Sequence, residues 1–367
     1  MGGKDTLVRE RFDSLNTLRV VALFMVVFLH ATCFDGKNFP ASALMQDGGM
    51  NWIFFTPAWG GVWIFFILSG FLAGKGFAEG RYTFSRKSVL AYYKKKVLRV
   101  YLPTMLFIGF CVVLFNPSFF SKNDILLKML TSTWDGTAGF PGPGATWYVF
   151  TLMWFYAFAP LLCFLAGKLQ TKGCIIACSV VVMLLGLCER GWQYRHGLDW
   201  YTVTYTPPYS NFDLFFVGVL MAYLCRCAGK SESVRMGWKT AIAVSLAVLI
   251  VANTYFFAHA VFVNVYRYGL PSVYLVLVAA YLYVYQTSAD CPAGGGQMSL
   301  LVNHIDRISF EFYLFHSLIF WRIAPHIGGH TPLGQYAKYL LVGLMISYVF
   351  ARGWHCVISG MRKERRG

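Results

Sequence analysis

Arg19 and His30 stand in one apolar run with ten residues between them. On a helix, eleven steps of about 100° return a side chain to within about 20° of the same face, three turns and roughly 16 Å further along. The two groups therefore point the same way. An imidazole, with a reference pKa of about 6.5, can take a proton from a hydroxyl or act as a nucleophile itself, and a guanidinium holds carboxylate or phosphate. In hydrocarbon an ionisable side chain is costly unless it meets a partner or a cavity, which makes each such residue a candidate for chemistry. Two plainer readings stand beside this one: His30 as an interhelical hydrogen-bonder and Arg19 as an anchor at a helix end.

Four further groups carry polar or aromatic chemistry in apolar surroundings. Tyr92-Tyr93-Lys94-Lys95-Lys96-Val97-Leu98-Arg99 precedes a span opened by Pro103, and Lys96 and Arg99 are i, i+3 neighbours. This segment reads either as a topology anchor or as a phosphate-binding patch. Ser69 lies in the Gly60 to Phe71 segment, whose glycines read as close helix packing. Ser309, Tyr313 and His316 fall at i, i+4 and i+7, giving one polar stripe with Glu311 on another face. Trp147, Tyr148, Thr151, Tyr156 and Pro160 make a fourth set, an interfacial aromatic belt or a sugar-stacking surface, and Trp200, Tyr201, Tyr205 and Tyr209 add to the same choice.

The elements that must position these groups are membrane helices. The 367 residues are 57% hydrophobic and only 13% charged, with mean hydropathy +0.53, far more apolar than one globular core requires. The predicted architecture is all-α and polytopic, with about ten transmembrane helices at 17–35, 54–74, 100–116, 145–166, 173–190, 208–227, 240–258, 266–286, 308–324 and 336–354. A cytoplasmic N-terminus places 24 of the 32 basic residues inside, a clear positive-inside bias, and ten crossings put both termini there. The net charge of +16 therefore reads as topology rather than as a nucleic-acid surface.

The chain is expected to be a single membrane domain over 1–367, with a cytoplasmic segment 1–16, a basic cytoplasmic loop 75–99 and a basic tail 355–367. The longest outer connections run from Asp35 to Ile53 and from Asn116 to Gly144, and Ala293-Gly294-Gly295-Gly296 marks an inner loop. The ten cysteines show no CxxC pair and no ligand spacing, so neither a disulfide framework nor a metal site is expected. No cleavage pattern follows the first apolar run, which is expected to be retained, and Met1-Gly2 with Thr6 makes a weak myristoylation pattern.

Taken in order, these residues resemble the acyltransferase-3 family of integral membrane acyltransferases, over nearly the whole chain. The resemblance is carried by Arg19 and His30, by Phe65-Phe66-x-x-Ser69-Gly70-Phe71, by Lys96, Arg99 and Pro103, by the Trp147 to Pro160 segment, and by Ser309-x-x-x-Tyr313-Leu314-x-His316. It implies a ten-helix core and transfer of an acyl group, usually acetyl, from cytoplasmic acyl-CoA to a hydroxyl on a sugar or glycolipid reached from the outer side. His30 then resembles the catalytic histidine, as base or acyl carrier, and Arg19 its motif partner. Lys95, Lys96, Arg99 and Ser69 are expected toward the donor, acetyl-CoA, and Trp147, Tyr148, Tyr313 and His316 toward the acceptor. No tightly bound cofactor is expected, and the expected location is the plasma (inner) membrane of a bacterial cell. Many family members that modify outer polysaccharides carry Glu in the segment that begins at Trp147, where this chain reads Thr151-Leu152-Met153-Trp154, so it resembles the branch without that Glu. A carbohydrate exporter or flippase is the competing class.

Overall fold

Where no water completes backbone hydrogen bonds, a chain closes them within a helix. The computed structural model describes residues 14–32, 49, 51–115, 125–131, 133, 145–230, 236–259, 264–288, 296–327 and 332–364, and among them every long apolar run is helical and no strand occurs. The helices are α1 (Ser14–Thr32), α2 (Ala58–Ala78), α3 (Arg86–Lys96), α4 (Leu102–Phe115), α5 (Trp147–Lys168), α6 (Lys172–Arg195), α7 (Phe212–Ala228), α8 (Met236–Ala258), α9 (Asn264–Thr287), α10 (Gln297–Arg307), α11 (Ser309–Ile323) and α12 (Pro332–Glu364). A short helical piece, Ile125–Leu130, lies between α4 and α5.

Nine helical stretches among the described residues are long and apolar enough to cross a membrane. The stretch expected at 308–324 is α11, which at 15 residues is shorter than these nine. Its residues from Phe312 to Phe320 are all buried, so protein rather than lipid surrounds it and a full bilayer length is not demanded of it. It follows α10 through a break at Ile308, where φ is −110° and ψ is 7°.

The connection expected at 75–99 is mostly helix. The α2 helix runs on to Ala78, and α3 starts after Ser85, whose side chain accepts the Ser88 N–H. From α3 the chain continues through a π-helical turn, Val97–Tyr101, directly into α4, so that Arg86–Leu114 is one helical run. Apart from Arg81, in the short turn between α2 and α3, the basic residues there lie on helix, not on a loop. Similarly, α12 continues to Glu364, well beyond the expected end at 354. The N-terminal Met1-Gly2-Thr6 pattern, most of the two long outer connections and Ala293–Gly295 fall outside the described residues.

Packing centres on α2, and its glycines explain why. A Cβ on Gly70 would sit 1.9 Å from the Phe215 carbonyl oxygen, and one on Gly218 would sit 2.2 Å from that of Ile67. Backbones of α2 and α7 thus touch, as small residues permit in helices that lack a hydrophobic drive to associate. On the other flank, a Cβ at Gly61 would meet the Ala22 carbonyl oxygen of α1 at 2.5 Å. By contrast, α6, α8 and α12 present Val181, Leu185, Val244, Val248, Leu341 and Val349 outward, an apolar surface suited to lipid.

The α1 and α10–α11 segments run parallel, as three side-chain contacts demonstrate. Asn16 donates to Asn303 at 3.0 Å, Arg19 pairs with Asp306, and His30 meets His316 at 3.1 Å. Antiparallel to α1, α9 brings Gln286 to within 3.3 Å of the Ser14 hydroxyl, and the Tyr281 hydroxyl donates to the Ser14 carbonyl at 3.2 Å. The ladder of contacts gives the bundle two ends, one marked by Arg19 and the other by His30.

Candidate active site

The site begins with two histidines from helices nearly three hundred residues apart in sequence. His316 is fully buried on α11, while His30, near the end of α1, keeps part of its surface accessible. Their rings meet edge to face with centroids 4.9 Å apart. His316 Nδ1 lies 2.6 Å from the Tyr313 carbonyl oxygen, which only accepts, so this nitrogen carries the proton and donates. In the neutral imidazole His316 Nε2 is then an acceptor. It faces His30 Nδ1 at 3.1 Å, and the same His30 Nδ1 lies 2.9 Å from the Val26 carbonyl oxygen. Between two acceptors, His30 Nδ1 must be the donor, a shared N–H as found near helix ends. The remaining ring nitrogen of His30, Nε2, therefore holds a lone pair. A carbonyl thus sets one tautomer, and that tautomer sets the next.

Tyrosines continue the site away from the histidine pair. The Tyr313 ring packs 5.5 Å from His316 and 5.6 Å from Tyr148, and its hydroxyl donates to the Ala145 carbonyl just before α5. Tyr148 lies near Ser69 and Arg19. Arg19, Ser69 and His30 all remain partly accessible although buried residues of α1, α2, α5 and α11 surround them. Polar groups from four separate motifs thus form a chain of neighbours that runs from His30 through His316, Tyr313 and Tyr148 to Ser69 and Arg19.

A model of the acyltransferase-3 family, described as an acyltransferase domain, matches residues 12–352, nearly the whole chain. The chain belongs to that family. Comparison with curated proteins and with solved structures finds no match.

Within this acyltransferase-3 fold the predicted basic group divides. Lys96 turns inward, with Nζ 3.8 Å from the Tyr156 ring centroid and 5.4 Å from that of Tyr92. Lys95 and Arg99 are exposed, Lys95 with Nζ 6.0 Å from the Tyr82 ring centroid. Arg99 lies within the π-helical turn Val97–Tyr101 and Lys96 just before it, so the angle between them is not that of an α-helical i, i+3 pair. Because Tyr156 lies on the same helix as Trp147 and Tyr148, α5 joins the cationic end of the site to its aromatic end.

Trp147 packs against Tyr205 at 4.8 Å, and Tyr205 stacks on Trp200 at 4.8 Å and 8°. Both tyrosine and tryptophan lie in a π-helical turn, Trp200–Tyr205, opened by Asp199, which accepts the Thr202 backbone N–H at 2.8 Å and its hydroxyl at 2.7 Å. The Thr202 donors hold the Asp199 carboxyl below the usual carboxylate range. A polar network missed in the sequence fixes this turn. Arg190 and Asp213, only 1% and 4% exposed, form two hydrogen bonds at 3.0 and 2.7 Å, with Arg190 also donating to the Ser210 carbonyl and Ser272. Gln193, Ser210 and Thr204 extend it to the turn itself. Gly186 provides the space, since a Cβ there would lie 2.3 Å from the Asp213 carboxylate.

Two more partners were not foreseen. Asp306 holds Arg19, and His355 of α12 meets Glu311 at 2.9 Å. The Asp306 to His316 spacing of ten residues, nearly that of Arg19 to His30, was the available signal: an acid and a histidine spaced to match a base and a histidine.

Proposed function

We propose that this membrane acyltransferase moves an acyl group, acetyl in the simplest case, from acyl-CoA on the cytoplasmic side to a hydroxyl of a carbohydrate or glycolipid on the outer side of a bacterial plasma membrane. The observation that supports this most directly is the hydrogen-bond relay from the Tyr313 carbonyl through His316 to His30, which leaves the lone pair on His30 Nε2. A neutral imidazole oriented in this way is a general base. The acceptor hydroxyl gives its proton to Nε2 while its oxygen attacks the thioester carbonyl carbon. The carbon–sulfur bond then breaks, and the departing CoA thiolate takes the proton from His30. The imidazolium formed in between is stabilised by the two acceptors at Nδ1.

In this reading, Lys95 and Arg99 face the phosphates of CoA, Lys96 borders the path of the pantetheine arm along Tyr156, and Ser69 lies further along it. Trp147, Tyr148 and Tyr313 border the acceptor, and His316 orients His30. A labelled acetyl-CoA assay on the purified protein tests the reading. His30→Ala is expected to abolish transfer while folded protein stays in the membrane, and turnover retained by that variant overturns it. An exporter, in contrast, would translocate glycan without consuming the donor.

A further inference from the structure

We infer that Asp306 is a positioning residue, which through Arg19 sets the register of α1 against α10–α11 and so delivers His30 to His316. The inference rests on the reading of His30 as the base, and goes beyond it to a residue on a different helix. Its observational basis is the ladder of contacts between the two parallel segments. Asn16 with Asn303 and Arg19 with Asp306 share one sequence offset of 287, whereas His30 with His316 has an offset of 286. The break at Ile308 lies between the second contact and the third, and it absorbs the missing residue. Ser309 secures the break by donating to the Asp306 carbonyl at 2.8 Å. Asp306 thus stands on the last turn before the break, where a slip of α10 along α1 would pass directly to α11.

The pairing also changes what Arg19 does. Its guanidinium is engaged by a carboxylate, with side-chain exposures of 23% and 12% for the two partners. About 16 Å of helix rise separates it from the level of His30, so its influence on the imidazole is geometric rather than direct. An ion pair of this kind is strong in fixing which residues face each other, and the removal of one partner leaves the other charge uncompensated.

Two roles for Arg19 make opposite predictions for the donor. If Arg19 is tied to Asp306 for register, Asp306→Asn lowers kcat at least tenfold and leaves the KM for acetyl-CoA within about twofold. In the charge-exchanged double variant, Arg19→Asp with Asp306→Arg, most of kcat returns. If Arg19 instead binds the donor's phosphates, Asp306→Asn frees it and lowers the donor KM, and the exchanged variant has a raised KM without recovery of kcat. The second pattern overturns the inference, as does wild-type kcat in Asp306→Asn. Should Asp306→Asn fail to fold, a folded and active exchanged variant supports the inference, and a folded but inactive one overturns it. Loss of folded protein in both, and in Asp306→Glu, makes the pair a folding requirement and also overturns it. Failure of the His30 reading is separately visible, because His30→Ala would then stay active in the same assay.

Discussion

At the residue scale, His30 and His316 are not equivalent. His316 is enclosed and takes its proton state from a carbonyl, whereas His30 is partly accessible and takes its own from His316. Replacing His316 with Ala removes the acceptor that orients His30 Nδ1–H but leaves Val26 to hold it. Its kcat is expected to fall by about 10²-fold, at the lower end of general acid–base contributions, with the donor KM little changed. Tyr313→Phe deletes only the hydroxyl bond to Ala145, because His316 uses the Tyr313 backbone carbonyl. Steady-state kinetics should show a loss of less than tenfold, in line with about 1 kcal/mol for one hydrogen bond. A Tyr313→Phe effect as large as that of His316→Ala would mean that the phenol itself acts on substrate.

At the scale of elements, two contacts set how the helices stand. Gly70→Val places a branched side chain where 1.9 Å is available against α7 backbone, and no rotamer avoids a carbonyl oxygen. Overpacking in a well-packed interior costs about 1–3 kcal/mol, and a backbone neighbour cannot yield as a side chain does. The expected result is a lowered Tm in detergent and a reduced yield of monodisperse protein. The Arg190 and Asp213 pair is the second contact. Arg190→Met alone should destabilise by about 3–5 kcal/mol because it strands the Asp213 carboxylate, while adding Asp213→Leu should recover much of that loss. Thermal unfolding of the single and double variants checks this, and equal losses in both would show that the ion pair itself is net stabilising. The π-helical turn at Val97 belongs to the same scale: Lys96, just before it, lies over the Tyr156 ring, and Arg99, within it, is exposed.

At the scale of the whole molecule, the parallel pairing of α1 with α11 constrains topology, since an odd number of crossings must lie between two parallel spans. We propose ten crossings, the nine long apolar stretches with α11 added as the ninth in order, and cytoplasmic termini, an arrangement that satisfies this and agrees with the placement of the basic residues. Fusions of a reporter that is active only outside the cytoplasm should be silent after Gly229 or Gly296 and active after Gly197. Activity after Gly229 would reject this orientation. The amino-acid sequence by itself determined the all-helical class, the approximate spans and the shared face of Arg19 and His30, because hydropathy and a 3.6-residue period are local properties. It also marked Ser309, Tyr313 and His316 as one stripe and separated Glu311 from them, as the bond of Glu311 to His355 bears out. The partners across helices were decided only by the tertiary structure. A period fixes the angle of a side chain on its own helix but neither which helix stands opposite nor at what height, so His316 for His30, Asp306 for Arg19 and Asp213 for Arg190 were not legible. The tautomer of His30 depends on all of these heights at once, and on a helix break at Ile308 that no periodicity announces.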